Sequence, residues 1–297
     1  MSDHARTLLA QHARTTQLLG VDFLPLGTPP NLPPKSGDHA HHEPESSLPE
    51  PPVRSKPEST IEPKPLHDFA PTPAAPKVTL DIKIDTASIR ACHESVSDPQ
   101  AKLDALCGKY TADAPHAHFN TTFTNIVFGE GNPAADLMFI GEAPGEQEDQ
   151  TGRPFVGRAG ELLEKMIVAM GLSRESVYIA NVLKTRPTNN ATPTQEQANI
   201  CVPYLIEQIR IINPKVIVTL GLPATHLLMG STQPMRAMRG HFHPFPSPAF
   251  ASADLDQIDL MPTYHPAFLL RAYTEDNRRK VWSDLTMVVE RLGLKES

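Results

Sequence analysis

Short, almost wholly apolar runs alternate with stretches of helical periodicity along the second half of this chain. The runs NIVFGEG (125–131), ADLMFIG (135–141), VYIANVLK (177–184), KVIVTLG (215–221) and LMPTYH (260–265) read as strands. Those at 135–141 and 215–221 carry so few polar residues that both of their faces must be buried. Between them, residues 160–170, 194–212, PATHLLMG (223–230) and 275–292 recur with helical spacing, with Thr192 or Thr194 as N-cap of the second. Strands that alternate with helices predict an α/β class, a three-layer α/β/α sandwich around a mainly parallel four-stranded sheet. Ligands in such a sheet bind beyond the carboxyl ends of the strands. A glycine-rich loop, Asn181 and His265 all fall at such ends.

The first part of the chain has a different pattern. Residues 1–23 place Leu8, Leu9, Leu18 and Leu19 among polar neighbours, which predicts a short amphipathic helix. Residues 24–78 hold fifteen of the 31 prolines and hardly a large apolar side chain, so this segment is expected to be a disordered linker. Its HAHH stretch has metal-binding residue types but reads as a solvated polar tract. The domain itself is expected over 79–297, entered through an amphipathic stretch from Ile89 to Leu106 that SDPQ (97–100) interrupts.

Composition narrows the function classes. No run approaches the ~18 apolar residues of a membrane span, and the N-terminus lacks a leader's apolar core, so the expected location is cytoplasmic. Cys92, Cys107 and Cys201 do not make a disulfide framework. A net charge of −7 argues against a protein that coats nucleic acid, while leaving room for a local basic groove.

Four blocks then carry specific chemistry: GEAPGEQED, GRPFVGRAG, NVLKTRP and PTYHPAFLLR. In order and spacing they resemble family 4 uracil-DNA glycosylases, over roughly residues 125–292. The resemblance implies a monofunctional hydrolase that cuts the N-glycosidic bond of deoxyuridine in DNA, leaving an abasic site for base excision repair. A flipped base needs a stacking surface and a reader of its Watson–Crick edge. Phe155 is the expected stacking surface and Asn181 the reader, with Gly141, Ala143 and Gly145 walling the pocket. Departing uracil gathers negative charge, and His265 is placed to stabilise it. Glu142 is the expected carboxylate for water or for the cationic sugar, with Glu148 and Asp149 as competitors that read better as a solvated acidic turn. Ala143 stands where the best-known branch of the superfamily has an aspartate, which leaves the water-handling role open.

Expected DNA contacts are Arg153, Arg158, Lys184 and Arg186, with Arg239, on a basic rim; Leu269 or Leu270 as a wedge; and Arg271 on a phosphate. Arg278, Arg279 and Lys280 read as an exposed helix face. The resemblance also implies a four-iron, four-sulfur cluster on four cysteines, but its positions fall on Ala114, Ala117, Thr185 and Cys201. We therefore expect no metal and no cofactor, with a small apolar or hydroxyl-bonded patch instead; His116 and His118 make poor substitute ligands. The expected partner is uracil-containing DNA, with a further protein partner for the N-terminal helix and a monomeric state. The alternative reading is a catalytically degenerate module of the same fold that binds DNA or a repair partner.

Overall fold

A computed structural model describes residues 84–245 and 255–294. The amphipathic helix expected at 1–23, the Pro-rich segment at 24–78 and the HAHH stretch lie outside the described residues.

The entry stretch is two helices, as the SDPQ interruption suggests. Helix α1 (Thr86–Glu94) is capped by Asp85, which accepts from Ser88 N. Helix α2 (Pro99–Asp113) has Asp98 as its cap and Pro99 in its first turn, where proline's missing N–H costs nothing. After these come β1 (Glu130–Gly131), β2 (Leu137–Gly141), the short α3 (Glu146–Thr151) and α4 (Arg158–Ala169). Strand β3 (Tyr178–Asn181) leads to α5 (Gln195–Ile212), whose N-cap is Thr194 rather than Thr192. Then follow β4 (Val216–Leu220), α6 (Leu222–Met229), α7 (Met235–Met238) and β5 (His243–Phe245). Strand β6 (Ile258–Thr263), α8 (Pro266–Arg271) and α9 (Glu275–Arg291) complete the domain.

The strands form one sheet in the order β1-β3-β2-β4-β6-β5. The inner four are parallel, and the two edge strands pair antiparallel. The four-stranded expectation is thus corrected to six. The run at 125–131 contributes only its last two residues, because Val127 N is already bonded to Lys184 O outside the ladder. The edge strand β5 was missed because HFHPF alternates ring types without a clean apolar face. Its Phe245 alone is deeply buried.

Strand β2 shows how the layers form. Met138 and Ile140 point into a core shared with α1, α2 and α5, whereas Leu137 and Phe139 point into one shared with α4 and α9. Each of these side chains is essentially inaccessible, and burial of that kind is worth roughly 1.5–3 kcal/mol per residue. The chain leaves β2 toward β3 on one side and returns to β4 on the other, so the crossover direction reverses at β2. A crevice therefore opens at its carboxyl end. Among the described residues no helix is long and apolar enough to cross a membrane.

Candidate active site

The inner parallel strands end at Gly141, Asn181, Leu220 and Thr263, and the loops beyond them enclose a cavity of about 680 Å³. Gly141 and Asn181 are direct neighbours in the β2–β3 register. A Cβ on Gly141 would lie 2.3 Å from Asn181 Oδ1 and 2.5 Å from Phe155 Cζ. Only glycine lets the carboxamide and the aromatic ring meet there. Asn181 is 1% exposed, and its Oδ1 has no hydrogen-bond partner. A buried carbonyl left unpaired costs about 1–3 kcal/mol, a cost that a ligand N–H would remove.

Phe155 is presented on a strained backbone. Its φ is 51°, in the left-handed region that side chains disfavour by about 1–2 kcal/mol. Its surroundings over-determine that conformation. Arg174 Nη1 donates to Phe155 O at 3.1 Å and Nη2 donates to Pro154 O. Glu148 accepts from Val156 N at 2.9 Å, Gly157 N at 3.0 Å and Gly145 N at 3.1 Å, tying the loop to the end of the glycine-rich turn. A Cβ on Gly160 would fall 1.9 Å from Phe155 O, so the first turn of α4 also requires glycine. The strain is therefore stored at the site.

These contacts correct the reading of Glu148 and Asp149 as a solvated turn. Glu148 is spent on three main-chain N–H groups. Asp149 is 4% exposed and accepts from Thr124 N at 2.7 Å and Asn125 N at 3.1 Å. Glu148 also lines the cavity, so what sets it apart from Glu142 is its three main-chain bonds and not its position, whereas Asp149 is not part of the lining. Arg174 went unrecognised in the sequence, since nothing local links it to a loop twenty residues earlier.

His265 caps α8, its Nδ1 accepting from Ala267 N at 3.0 Å. A neutral ring with Nδ1 as acceptor carries its proton on Nε2. Burial, helped by the nearby Arg271 charge, pushes the imidazole down to about 4, so it is neutral at pH 7. Its ring stacks on Phe155 with centroids 5.6 Å apart. Gly221, with φ 91°, admits this arrangement: a Cβ there would sit 2.9 Å from His265 Cβ. Glu142 lines the same cavity, and burial pushes its carboxyl up to about 6 against an opposing bond from the Thr192 hydroxyl. Thr192, a candidate helix cap by sequence, instead sits beside Glu142 through a long-range contact that no local pattern signals. Ala143 and Gly145 also line the cavity.

The expected DNA contacts divide. Arg158 and Arg271 are exposed, and Arg271 lines the cavity mouth. Arg153 is exposed but bonded to Glu130, and Arg186 is half-buried with Nε donating to Asn190 at 2.8 Å. Lys184 is corrected outright. It is inaccessible, and its Nζ donates to Asn181 O at 2.8 Å and to Gln208 Oε1 at 2.5 Å. Leu269 is likewise corrected: it is 3% exposed in the core with Leu162 and Met166, leaving the half-buried Leu270 as the projecting leucine. Arg239 pairs with Asp284 instead of joining a rim. Arg279 and Lys280 make i,i+4 pairs along α9, as an exposed face should.

At the positions where the resemblance implies a cluster, the donor set is one thiol. Cys201 Sγ lies 4.0 Å from the hydroxyl of Tyr110, which is itself fully buried. Thr185 is buried beside the same phenol. The Tyr110 ring packs against His116, Phe128 and Tyr204 with centroids 5.6, 6.1 and 5.1 Å away. One thiol among packed rings and a hydroxyl does not fit a four-thiolate cluster.

Comparisons agree with this geometry. Residues 128–286 match the Uracil DNA glycosylase superfamily. A type-4 uracil-DNA glycosylase of Thermotoga maritima is 44% identical over 172 residues, 57% of this chain and 82% of the relative. One from Sulfurisphaera tokodaii is 44% identical over 172 residues, covering 56% and 74%. One from Archaeoglobus fulgidus is 38% identical over 179 residues, covering 59% and 86%. With the strand-end cavity and the superfamily match spanning the same residues, the chain belongs to the uracil DNA glycosylase superfamily.

Proposed function

We propose that this protein excises uracil from DNA, hydrolysing the N-glycosidic bond of deoxyuridine to leave an abasic site. The observation that carries the reading is the buried Asn181 carboxamide, its Oδ1 unpartnered against Gly141 and Phe155. Uracil N3–H supplies the missing donor, and Asn181 Nδ2 donates to O4. Cytosine presents a lone pair at N3 and a donor at C4, so both bonds would be reversed and repulsive.

In the reaction the C1′–N1 bond breaks and its electron pair leaves with the base. Charge develops on uracil O2, where the neutral His265 donates from Nε2. A preorganised donor of this kind contributes about 100-fold or more to the rate. The sugar becomes cationic at C1′. Ionised Glu142, a carboxylate of the same cavity lining, is assigned to stabilise it and to take a proton from the water that attacks C1′. Phe155 holds the base plane throughout. The role of Glu142 rests on its position and raised pKa, and on the main-chain N–H groups that Glu148 and Asp149 already hold. We read the protein as working without a cluster, because the four positions supply a single thiol.

Excision from a deoxyuridine-containing oligonucleotide, scored as alkali-labile strand breaks, tests the proposal. Wild type is expected to cut, with Asn181→Ala and His265→Ala each slower by 100-fold or more. Equal background in all three, across pH and salt, leaves only a non-catalytic module.

A further inference from the structure

The cavity is larger than its reading end requires. At about 680 Å³ it lies near the middle of the roughly 300–1,000 Å³ range that encloses drug-sized ligands, well beyond a single pyrimidine. Of the groups assigned to uracil, Phe155, Asn181 and His265 line it, with Gly141 behind the first two. The remaining lining has another character. Tyr264 and Phe268 both border the cavity, are half-buried against the core, and stack on each other with centroids 4.9 Å apart at 27°. Phe268 sits one helical turn beyond His265, its N–H bonded to His265 O at 2.9 Å, so this second aromatic pair is built onto the first. The Tyr264 ring is braced by the Arg239 guanidinium, 5.8 Å from its centroid, which the buried Asp284 holds in turn. Three residues beyond Phe268, Arg271 adds a cation at the mouth. A partly exposed aromatic face beside a cation is the arrangement that takes a nucleobase with its phosphate.

Resting on the proposed excision activity, we infer that Tyr264 and Phe268 form a stacking shelf for the base next to the extruded uracil. The enzyme then grips a dinucleotide rather than one nucleoside. In duplex DNA that neighbouring base is paired and stacked, and reaching the shelf means breaking those contacts. In a single strand it is already free. The shelf therefore favours deoxyuridine in single-stranded DNA over the same sequence in a duplex.

The test uses the full chain and single-stranded oligonucleotides with one deoxyuridine, whose 5′ or 3′ neighbour is either a normal nucleotide or a tetrahydrofuran abasic analogue. Wild type should lose about tenfold in kcat/KM when the base on one side is removed. Phe268→Ala should be insensitive to that removal, and Phe268→Tyr and Tyr264→Phe should keep the wild-type dependence. Wild type indifferent to both neighbours, or Phe268→Ala losing the same factor as wild type, overturns the shelf. Fluorescence anisotropy on the same oligonucleotides reads the same pattern as binding. An absence of all excision would defeat the activity, and the anisotropy would still decide the shelf.

Discussion

Arg174 donates to the carbonyl of Phe155 at 3.1 Å while Phe155 holds a left-handed φ of 51°. The guanidinium also bonds Pro154 O and pairs with Glu130, so it is anchored on one side and fixes the aromatic loop on the other. A hydrogen bond from a charged donor is worth about 1.5–3 kcal/mol. Glu148 still holds the neighbouring N–H groups, so only part of that falls on catalysis. Arg174→Ala is expected to reduce kcat/KM about tenfold, mostly through KM. Arg174→Lys should recover little, because a lysine cannot reach two carbonyls and a carboxylate in one plane. Steady-state kinetics beside a melting curve separate this from global loss: an unchanged KM in a folded Arg174→Ala protein contradicts the positioning role.

Gly141→Ala is the smallest change that should disable the site. The added methyl would stand 2.3 Å from Asn181 Oδ1 and 2.5 Å from Phe155 Cζ, and neither side chain can withdraw without vacating the base position. Gly141 ends a buried strand with an extended backbone, so alanine strains no dihedral there. The expected result is excision down by 100-fold or more, with a melting temperature lowered by only a few degrees. Retention of near-normal activity removes Gly141 and Asn181 from the base pocket.

The sheet and the pocket were largely legible because their signals are local. An apolar strand that stops at asparagine, or a histidine before proline, can be read without the fold. Lys184 and Leu269 were misread for a common reason: their residue types suggest contact with DNA, but their positions decide otherwise. Lys184 follows the buried Val182 and Leu183 just past the strand end, and burial of that segment carries it inside. Leu269 lies one turn from the His265 cap, on the face of α8 that meets α4, a periodicity that HPAFLLR does contain. Arg174 and Thr192 act across the chain, and no local pattern encodes such a pairing.

The pH profile should show one group near neutrality, not two. Glu142 must be ionised to act on water, and burial pushes it up to about 6. His265 must be neutral to carry its proton on Nε2, and it is pushed down to about 4. kcat/KM is thus expected to rise with pH through about 6 and level off, with no inflection at the ordinary histidine value of ~6.5. Glu142→Gln should flatten the rise and lower the plateau. A rise unchanged in Glu142→Gln assigns the titration to another group.

Anaerobic incubation with iron and sulfide should leave the purified protein colourless. Three of the four positions carry no thiol, and the Tyr110 ring beside Cys201 is packed in turn by His116 and Tyr204. A brown chromophore at one cluster per chain contradicts this. Iron quantified on the sample used for the excision assay checks both properties together.

Lys184 predicts how stability varies with pH. Burial without a carboxylate partner pushes its ammonium down to about 7, while the unfolded chain titrates near 10.4. Below pH 7 both states hold the proton, and stability does not change on this account. Above 7 the native amine loses its proton and the unfolded one keeps it, so the unfolded state binds more protons and stability rises with pH. Above about 8.5 the opposite sign enters. Burial pushes the Cys201 thiol up to about 12, so the native state then holds a proton the unfolded chain releases. The clean window is pH 7 to about 8.5, where Lys184 should contribute roughly 1.5 kcal/mol of added stability. Denaturant titrations at both pH values measure it. Lys184→Met, which keeps the length and removes the charge, should flatten the difference; a wild-type stability that stays flat across this window would show that the ammonium stays charged in the native core.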